Sequence, residues 1–362
     1  MQSMSMKTFF IFLFIFLTGL SLAVQGQFII SGKVIDAESK EPLFGASVFC
    51  QNTTLGTTTK KEGDFRLELK PGGYDLIFTY TGYQTKLVRI NSNENNKLDS
   101  VTLSKEDKSL SEVVIKSSNE VLDGWEKYGS FFISHFIGST PFSAKCSLQN
   151  PQVLKFYFYK RSNKLKVLAL EPLVIANNAL GYNLNYSLDS FVYYYKNDLN
   201  SFRGYCRYSQ MEGTEDEMKV WTTNRKKLFN GSRLHFMRSY YDSTLVDEGF
   251  RIAMLDQKND TKFNNVENPY DSTFYTLLDS TNEIEIFYPR KISVTYLRTP
   301  ENEYLQQYKL PMNLGVQVSY VDLLDGIAIK ENGYYYDQKD WVSQGYWAWK
   351  NLADQLPYDY NP

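Results

Sequence analysis

The chain is 362 residues long, with 39 basic against 41 acidic side chains and a formal net charge of −2. That near-cancelled balance excludes the basic footprint of a nucleic-acid binder and gives no pull towards a strongly anionic surface. The length is ample for about two or three domains. Three cysteines are too few for a disulfide framework, and the abundance of Tyr and Phe points to a β-rich protein with tyrosines on half-buried sheet faces.

Lys7 is the only charge before an apolar run from Phe9 to Val24, which exits through Gln25-Gly26-Gln27. A charged start, a short apolar stretch and a small-x-small exit describe a secretory signal peptide over residues 1–26. The alternative is a retained anchor, for which the run falls short of the roughly 20 residues needed to span. No cysteine lies near the exit, so lipid attachment at a new terminal Cys is not expected. With the peptide removed, no other run approaches membrane length.

From Ile29 to Ile90, short apolar runs alternate in and out, and glycines or prolines punctuate them. That is how a small Greek-key-type β-sandwich reads. Ile29 to Ile35 and Phe65 to Leu69 alternate as strands, Gly63 fits a turn needing positive φ, and Pro71-Gly72-Gly73 turns before Tyr74 to Tyr80. The segment from Asp99 to Leu103 completes the sandwich as an edge strand, giving a module over 27–103.

The landmarks Gly32-Lys33-Val34 with Asp36, Pro42 to Val48, Gly56-Thr57-Thr58-Thr59 with Gly63-Asp64-Phe65, Pro71-Gly72 and Tyr80 to Tyr83 occur in order. On them the module resembles the carboxypeptidase regulatory-like family, a transthyretin-like sandwich. The resemblance implies a non-catalytic appendage of the kind that accompanies zinc carboxypeptidases or, in Gram-negative envelope proteins, precedes outer-membrane receptor plugs or soluble domains. It therefore implies export to the periplasm, the outer membrane or the cell surface.

Residues 104–119 read as a linker and joint. Leu110 to Ile115 is similar to the joint that follows this module in TonB-dependent receptors, and a strand opening the next domain is the plainer reading. Residues 120–362 then read as an α+β domain rich in antiparallel strands. Strand patterns recur from Val121 onward: Lys155 to Tyr159, Leu165 to Leu170, Leu184 to Tyr195, Phe250 to Leu255, Ile284 to Tyr288, Ile292 to Leu297 and Val316 to Val321. Asn332-Gly333 is a strong hairpin signal. A basic helix pair is expected over Met218 to Phe229 and Ser232 to Tyr241, with Gly231 as the stop and Ser232 as the next cap. Leu234, Met237 and Tyr241 fall on one face of the second helix, with Arg233 and Arg238 off it. The region resembles the uncharacterised domain that follows the same module in small secreted Gram-negative proteins, a likeness that implies no known activity.

Only two histidines exist, His135 and His235, and neither begins His-x-x-Glu or His-Glu-x-x-His, so no metal site or cofactor is expected. No Gly-x-Ser-x-Gly elbow or phosphate loop is present. Converging carboxylates elsewhere stay open, since spacing cannot locate them. His235 is the one acid/base candidate, against a packed or capping role. Arg225, Lys227, Arg233 and Arg238, with Lys226, are candidates to cradle a phosphate or carboxylate, against a solvated helix face. Trp341, Tyr346, Trp347 and Trp349 are candidates for an aromatic binding surface for glycan or protein. A bridge between Cys146 and Cys206 and buried free thiols are both open. The function expected is that of a non-enzymatic, secreted envelope protein whose sandwich presents a domain binding another envelope protein or a glycan. An envelope hydrolase acting on peptide or glycan is the alternative.

Overall fold

The computed structural model describes residues 27–92, 97–106, 119–278, 282–336 and 338–362. The expected signal peptide and residues 107–118 of the expected joint lie outside them. The protein is mainly β, and the first seven strands form a sandwich: β1 (Phe28–Asp36), β2 (Ser47–Cys50), β3 (Gly56–Thr58), β4 (Asp64–Leu69), β5 (Gly73–Thr79), β6 (Lys86–Asn91) and β7 (Lys97–Leu103). Its sheets have the orders β4-β1-β7 and β3-β2-β5-β6. Strand β4 alternates strictly, sending Phe65, Leu67 and Leu69 into a core shared with Ile30, Val34, Val48, Leu76 and Phe78. Strand β7 runs parallel to β1 at the sheet edge. Gly63 takes φ +76°, and a Cβ there would meet the Val34 carbonyl oxygen at 2.5 Å.

Strand β5 breaks the alternating pattern, because it is buried from Gly73 to Phe78. Tyr74, Leu76 and Phe78 face the sandwich core. Successive side chains point to opposite faces, so Asp75 and Ile77 face the rest of the chain. A strand buried on both faces has a second layer against it, and here that layer is the remainder of the protein.

This remainder opens with α1 (Gly124–Phe136), followed by β8 (Cys146–Leu148), β9 (Leu154–Tyr159), β10 (Lys164–Ala169), β11 (Leu173–Asn177), β12 (Tyr182–Tyr194) and β13 (Leu199–Gln210). Strand β12 is the spine: β13 pairs along its whole length, while β11 and β10 lie end to end along its other edge. Helix α1 was not expected, since its run of Phe, Trp, Tyr and Ile reads as strand. Phe132 and Phe136, four apart on one helix face, are fully buried in the core beneath this sheet. Gly124 lets the helix close on β9, where a Cβ would sit 2.6 Å from Phe156.

The same sheet settles the cysteines. Cys146 lies on β8 and Cys206 on β13, with β11 and β12 between them. Three inter-strand steps of about 4.8 Å alone hold them at least about 14 Å apart, far beyond the roughly 7 Å limit for a bridge. All three cysteines are free thiols.

Two helices follow, α2 (Glu215–Phe229) and α3 (Arg233–Tyr241), then β14 (Phe250–Leu255), β15 (Phe263–Asn265), β16 (Tyr275–Leu278), β17 (Glu283–Ile286), β18 (Ile292–Tyr296), α4 (Asn302–Gln307), β19 (Gln317–Leu323), β20 (Ile327–Ile329), β21 (Trp341–Gly345) and the single turn α5 (Tyr346–Trp349). They make sheets of order β15-β14-β18-β19-β21 and β16-β17-β20 around a second core. The junction matches the sequence reading: Gly231 takes φ +82°, and the Ser232 hydroxyl accepts from the His235 N–H. The start of α2 does not, since the helix opens at Glu215 rather than Met218, under a capping box of Thr214 and Glu217. The one-faced reading of α3 is corrected: His235, Phe236, Ser239 and Tyr240 are buried along with Leu234 and Met237. A helix buried nearly all round is an interior element rather than an amphipathic surface one.

The sandwich meets the remainder across a polar seam. The Tyr334 hydroxyl donates to Asp75 Oδ2 at 2.6 Å, Tyr336 to the Ile90 carbonyl at 3.0 Å and Asn332 Nδ2 to the Gly73 carbonyl at 3.2 Å. Asn91 Nδ2 donates to Glu283 Oε1 at 2.9 Å, and Glu283 pairs with the buried Lys330 ammonium. The Asn332-Gly333 turn closes, with the Gly333 N–H on the Lys330 carbonyl. Its return arm makes one bridge, Ile329 to Tyr335, because the tyrosines on either side leave to bond Asp75 and Ile90. At the other end of the seam, the Asn52 N–H donates to the Cys206 carbonyl, the Tyr358 N–H donates to the Asn52 carbonyl, and Asp359 accepts from the Thr54 N–H.

Candidate functional site

A cleft of about 100 Å³, open to solvent at its mouth, lies where the last turn of α2, the start of α3, α5 and the tail after it come together. One wall is the N-terminus of α3: Ser232, Arg233 and Leu234, with Lys227 from α2. The first N–H groups of a helix have no acceptor within it, and they carry the positive end of its dipole. The Arg233 guanidinium lies over the Tyr335 ring at 5.8 Å and beside the Tyr335 and Tyr358 hydroxyls. Among the described residues no carboxylate pairs with it.

The opposite wall carries Glu301, Tyr346, Lys350 and Asp354. Lys350 Nζ lies 3.1 Å from Glu301 and 3.5 Å from Asp354. The Tyr346 hydroxyl donates to Glu301 at 2.5 Å, and the Thr140 hydroxyl to Asp354 at 2.8 Å. Burial pushes the Asp354 carboxyl up to about 6, against the pull of Lys350 and Thr140. Burial also acts on Glu301, but there Lys350 and Tyr346 outweigh it and hold the group below the ordinary carboxylate range. A carboxyl whose folded pKa is raised gains stability from protonation as pH falls through that value, and loses it as pH rises. Asp354→Asn, which keeps an acceptor for Thr140, is therefore expected to remove a loss on the order of 1 kcal/mol that the native protein suffers as pH rises from about 5 to about 7. Urea midpoints measured at both ends of that window check it; an unchanged slope refutes it.

The sequence-derived candidates divide. Lys227, Arg233, Tyr346 and Trp347 meet at the cleft. Arg225 does not, because it donates to the Leu180 and Gly181 carbonyls at 2.7 and 3.1 Å and stacks 3.9 Å from the Tyr182 ring. Arg238 is likewise spent on the carbonyls of Asn332, Tyr358 and Tyr360. The aromatic surface is corrected: Trp341, Tyr346, Trp347 and Trp349 are 2–8% exposed and belong to the second core. The indole N–H groups of Trp347 and Trp349 are spent inside, on the Gly231 carbonyl and Gln307. Glu301, Lys350 and Asp354 were not singled out from sequence. The four-residue step from Lys350 to Asp354 was the available signal, and nothing in the chain ties Glu301 to either.

His235 has both ring nitrogens committed. Nδ1 accepts from the Gly231 N–H at 3.1 Å, which places the proton on Nε2, 3.0 Å from Glu248. Burial lowers its pKa against the pull of Glu248, favouring the neutral ring. It pins the turn between the two helices while packing on Phe229 and Phe250. His235→Ala is expected to cost about 2–4 kcal/mol through a cavity and an unsatisfied Gly231 N–H, read as a fall in thermal midpoint.

Among the described residues no group of three or more His, Cys, Asp and Glu side chains is arranged to hold a metal. Nor is any helix among them long and apolar enough to cross a membrane.

The sandwich is a carboxypeptidase regulatory-like module: residues 30–115 match the model of the CarboxypepD_reg-like domain. The match runs past the limit at residue 103 that the sequence suggested. A TonB-dependent receptor from Formosa agariphila is 34% identical over 92 residues, which cover 25% of this chain and 8% of that receptor. The chain thus spans a small fraction of the relative's length. Among solved structures, the group B streptococcus pilus 2b backbone protein aligns at 20% identity over 23% of this chain and 42% of its own, with a TM-score of 0.18. A DUF3823 family protein from Bacteroides ovatus aligns at 10% identity over 52% and 83%, also with a TM-score of 0.18. At such TM-scores neither likeness carries an argument.

Proposed function

We propose that this is an exported, non-enzymatic cell-envelope protein in which the sandwich braces a second region that binds an anionic ligand in the cleft. The apolar N-terminal run and a module shared with a TonB-dependent receptor support the envelope setting. The observation that carries the binding reading is Arg233, a half-buried guanidinium facing a cleft with no carboxylate paired to it among the described residues. A charge taken out of water without a counter-charge is costly, and a phosphate or carboxylate seated there supplies one, with the N-terminus of α3 adding its own preference for anions. Of the charged side chains lining the cleft, Lys227, Arg233 and Lys350 outnumber Glu301 and Asp354, so the balance there favours an anion over a cation.

Trp347 in the wall gives the readout. Titrating inorganic phosphate and acetate should give a saturable change in tryptophan fluorescence, and Arg233→Gln should weaken binding about tenfold or more, the worth of a charge-assisted hydrogen bond. Absence of a saturable response in the native protein, or equal binding by the variant, refutes the reading.

Glu301 and Asp354 favour a second reading, an envelope hydrolase acting on glycan or peptide, because two carboxyls whose pKa values are pushed apart are the usual acid/base pairing. Both are turned onto Lys350 and Asp354 is enclosed, which favours the binding reading. Turnover of a glycan or peptide panel that Asp354→Asn abolishes would establish the hydrolase instead.

A further inference from the structure

A second groove shares Lys227, Glu301 and Tyr346 with the cleft and brings in Arg298 and Gln317. Gln317 opens β19 and is 5% exposed, yet its Oε1 has no hydrogen-bond partner among the described residues. A buried amide oxygen left unbonded costs free energy and calls for an explanation. Its position is informative, because a Cβ on Gly231 would sit 2.8 Å from that oxygen. Gly231 immediately precedes Ser232, the cap of α3. The orphan acceptor therefore stands beside the positive helix end; its residue lines the groove with Lys227 and Arg298, and that groove adjoins the cleft lined by Arg233.

An acceptor at an anion site disfavours a bare anion, since two oxygens facing each other without a proton repel. It welcomes a hydroxyl carried on the same skeleton as the anion. The ionised Glu301 offers a further acceptor of the same kind, and the groove extends the space beyond the cleft itself.

We infer that the cleft and the groove adjoining it take a small polyhydroxylated anion, with its carboxylate or phosphate on Arg233 and the N-terminus of α3 in the cleft and a hydroxyl reaching the groove to donate to Gln317. This rests on the anion-binding reading and narrows it. A sugar acid and a sugar phosphate present the same chemistry.

The test compares affinities of the native protein by calorimetry for glucuronate, glucose 6-phosphate, acetate, inorganic phosphate and glucose. At least one of the two sugar anions is expected to bind about tenfold tighter than its plain anion, with glucose not bound; which one does so decides between carboxylate and phosphate. Gln317→Leu is expected to erase that advantage without lowering plain-anion affinity or the thermal midpoint, and Gln317→Glu, which keeps an acceptor but adds a charge, to weaken all anions. Equal binding of sugar and plain anions overturns this inference and leaves the anion reading standing. No binding of any anion overturns both, and glucose bound as tightly as glucuronate overturns the role given to Arg233.

Discussion

Glu283→Ala is expected to destabilise the protein by about 3–5 kcal/mol, the usual cost of removing one member of a buried ion pair. Glu283 receives Asn91 of the sandwich and the ammonium of Lys330, itself 2% exposed. Removing the carboxylate takes the counter-charge of Glu283 from an ammonium that the seam keeps out of solvent. A loss of this size is a large part of the stability of an ordinary domain, so it should appear as a lowered guanidinium midpoint. Because the seam joins the sandwich to the remainder, a weakened seam should also separate unfolding into two transitions. Glu283→Leu with Lys330→Met should recover most of the loss, since apolar replacements of a buried pair are often neutral. A cost below about 1 kcal/mol for the alanine variant would show that the seam is not held by this pair.

Gly231→Ala is expected to cost about 2–5 kcal/mol and to weaken anion binding. The residue takes φ +82°, where a Cβ adds about 1–2 kcal/mol. That Cβ would also sit 2.4 Å from the Tyr296 ring and 2.8 Å from Gln317, and overpacking of this kind typically costs about 1–3 kcal/mol. Relief requires the link between α2 and α3 to shift, and with it the helix start that faces the cleft. Circular dichroism melts and the phosphate titration read both effects. A variant as stable as the native protein would show that the link tolerates a side chain there.

Local rules made most of the fold legible. Gly231 and Ser232 marked the helix junction because stop and cap chemistry is short-range, and the alternating Phe65, Leu67 and Leu69 marked a half-buried strand for the same reason. Helix α1 was missed because its aromatic residues favour strand by propensity, and packing of Phe132 and Phe136 beneath the sheet overrode that preference. Gly72-Gly73 was legible as a turn but not as a docking point. A Cβ on Gly73 would meet the Lys330 stem at 2.6 Å, and no local pattern encodes a partner more than two hundred residues away. The basic cluster could be listed but not sorted, because Arg225 and Arg238 differ from Arg233 only in which carbonyls the fold brings within reach. The tryptophans near residue 345 were placed on a surface for want of knowing that a second core surrounds them.

The contact between Thr54 and Asp359 spans 305 positions of the chain, and its consequence is kinetic. Closing so long a loop costs entropy before any bond rewards it, and folds built on such distant contacts form slowly. A contact of that kind belongs to the last steps of assembly, so weakening it should leave the folding rate nearly unchanged and speed unfolding instead. The tail would then act as a latch on the finished molecule, governing how long the native state lasts more than how quickly it is reached.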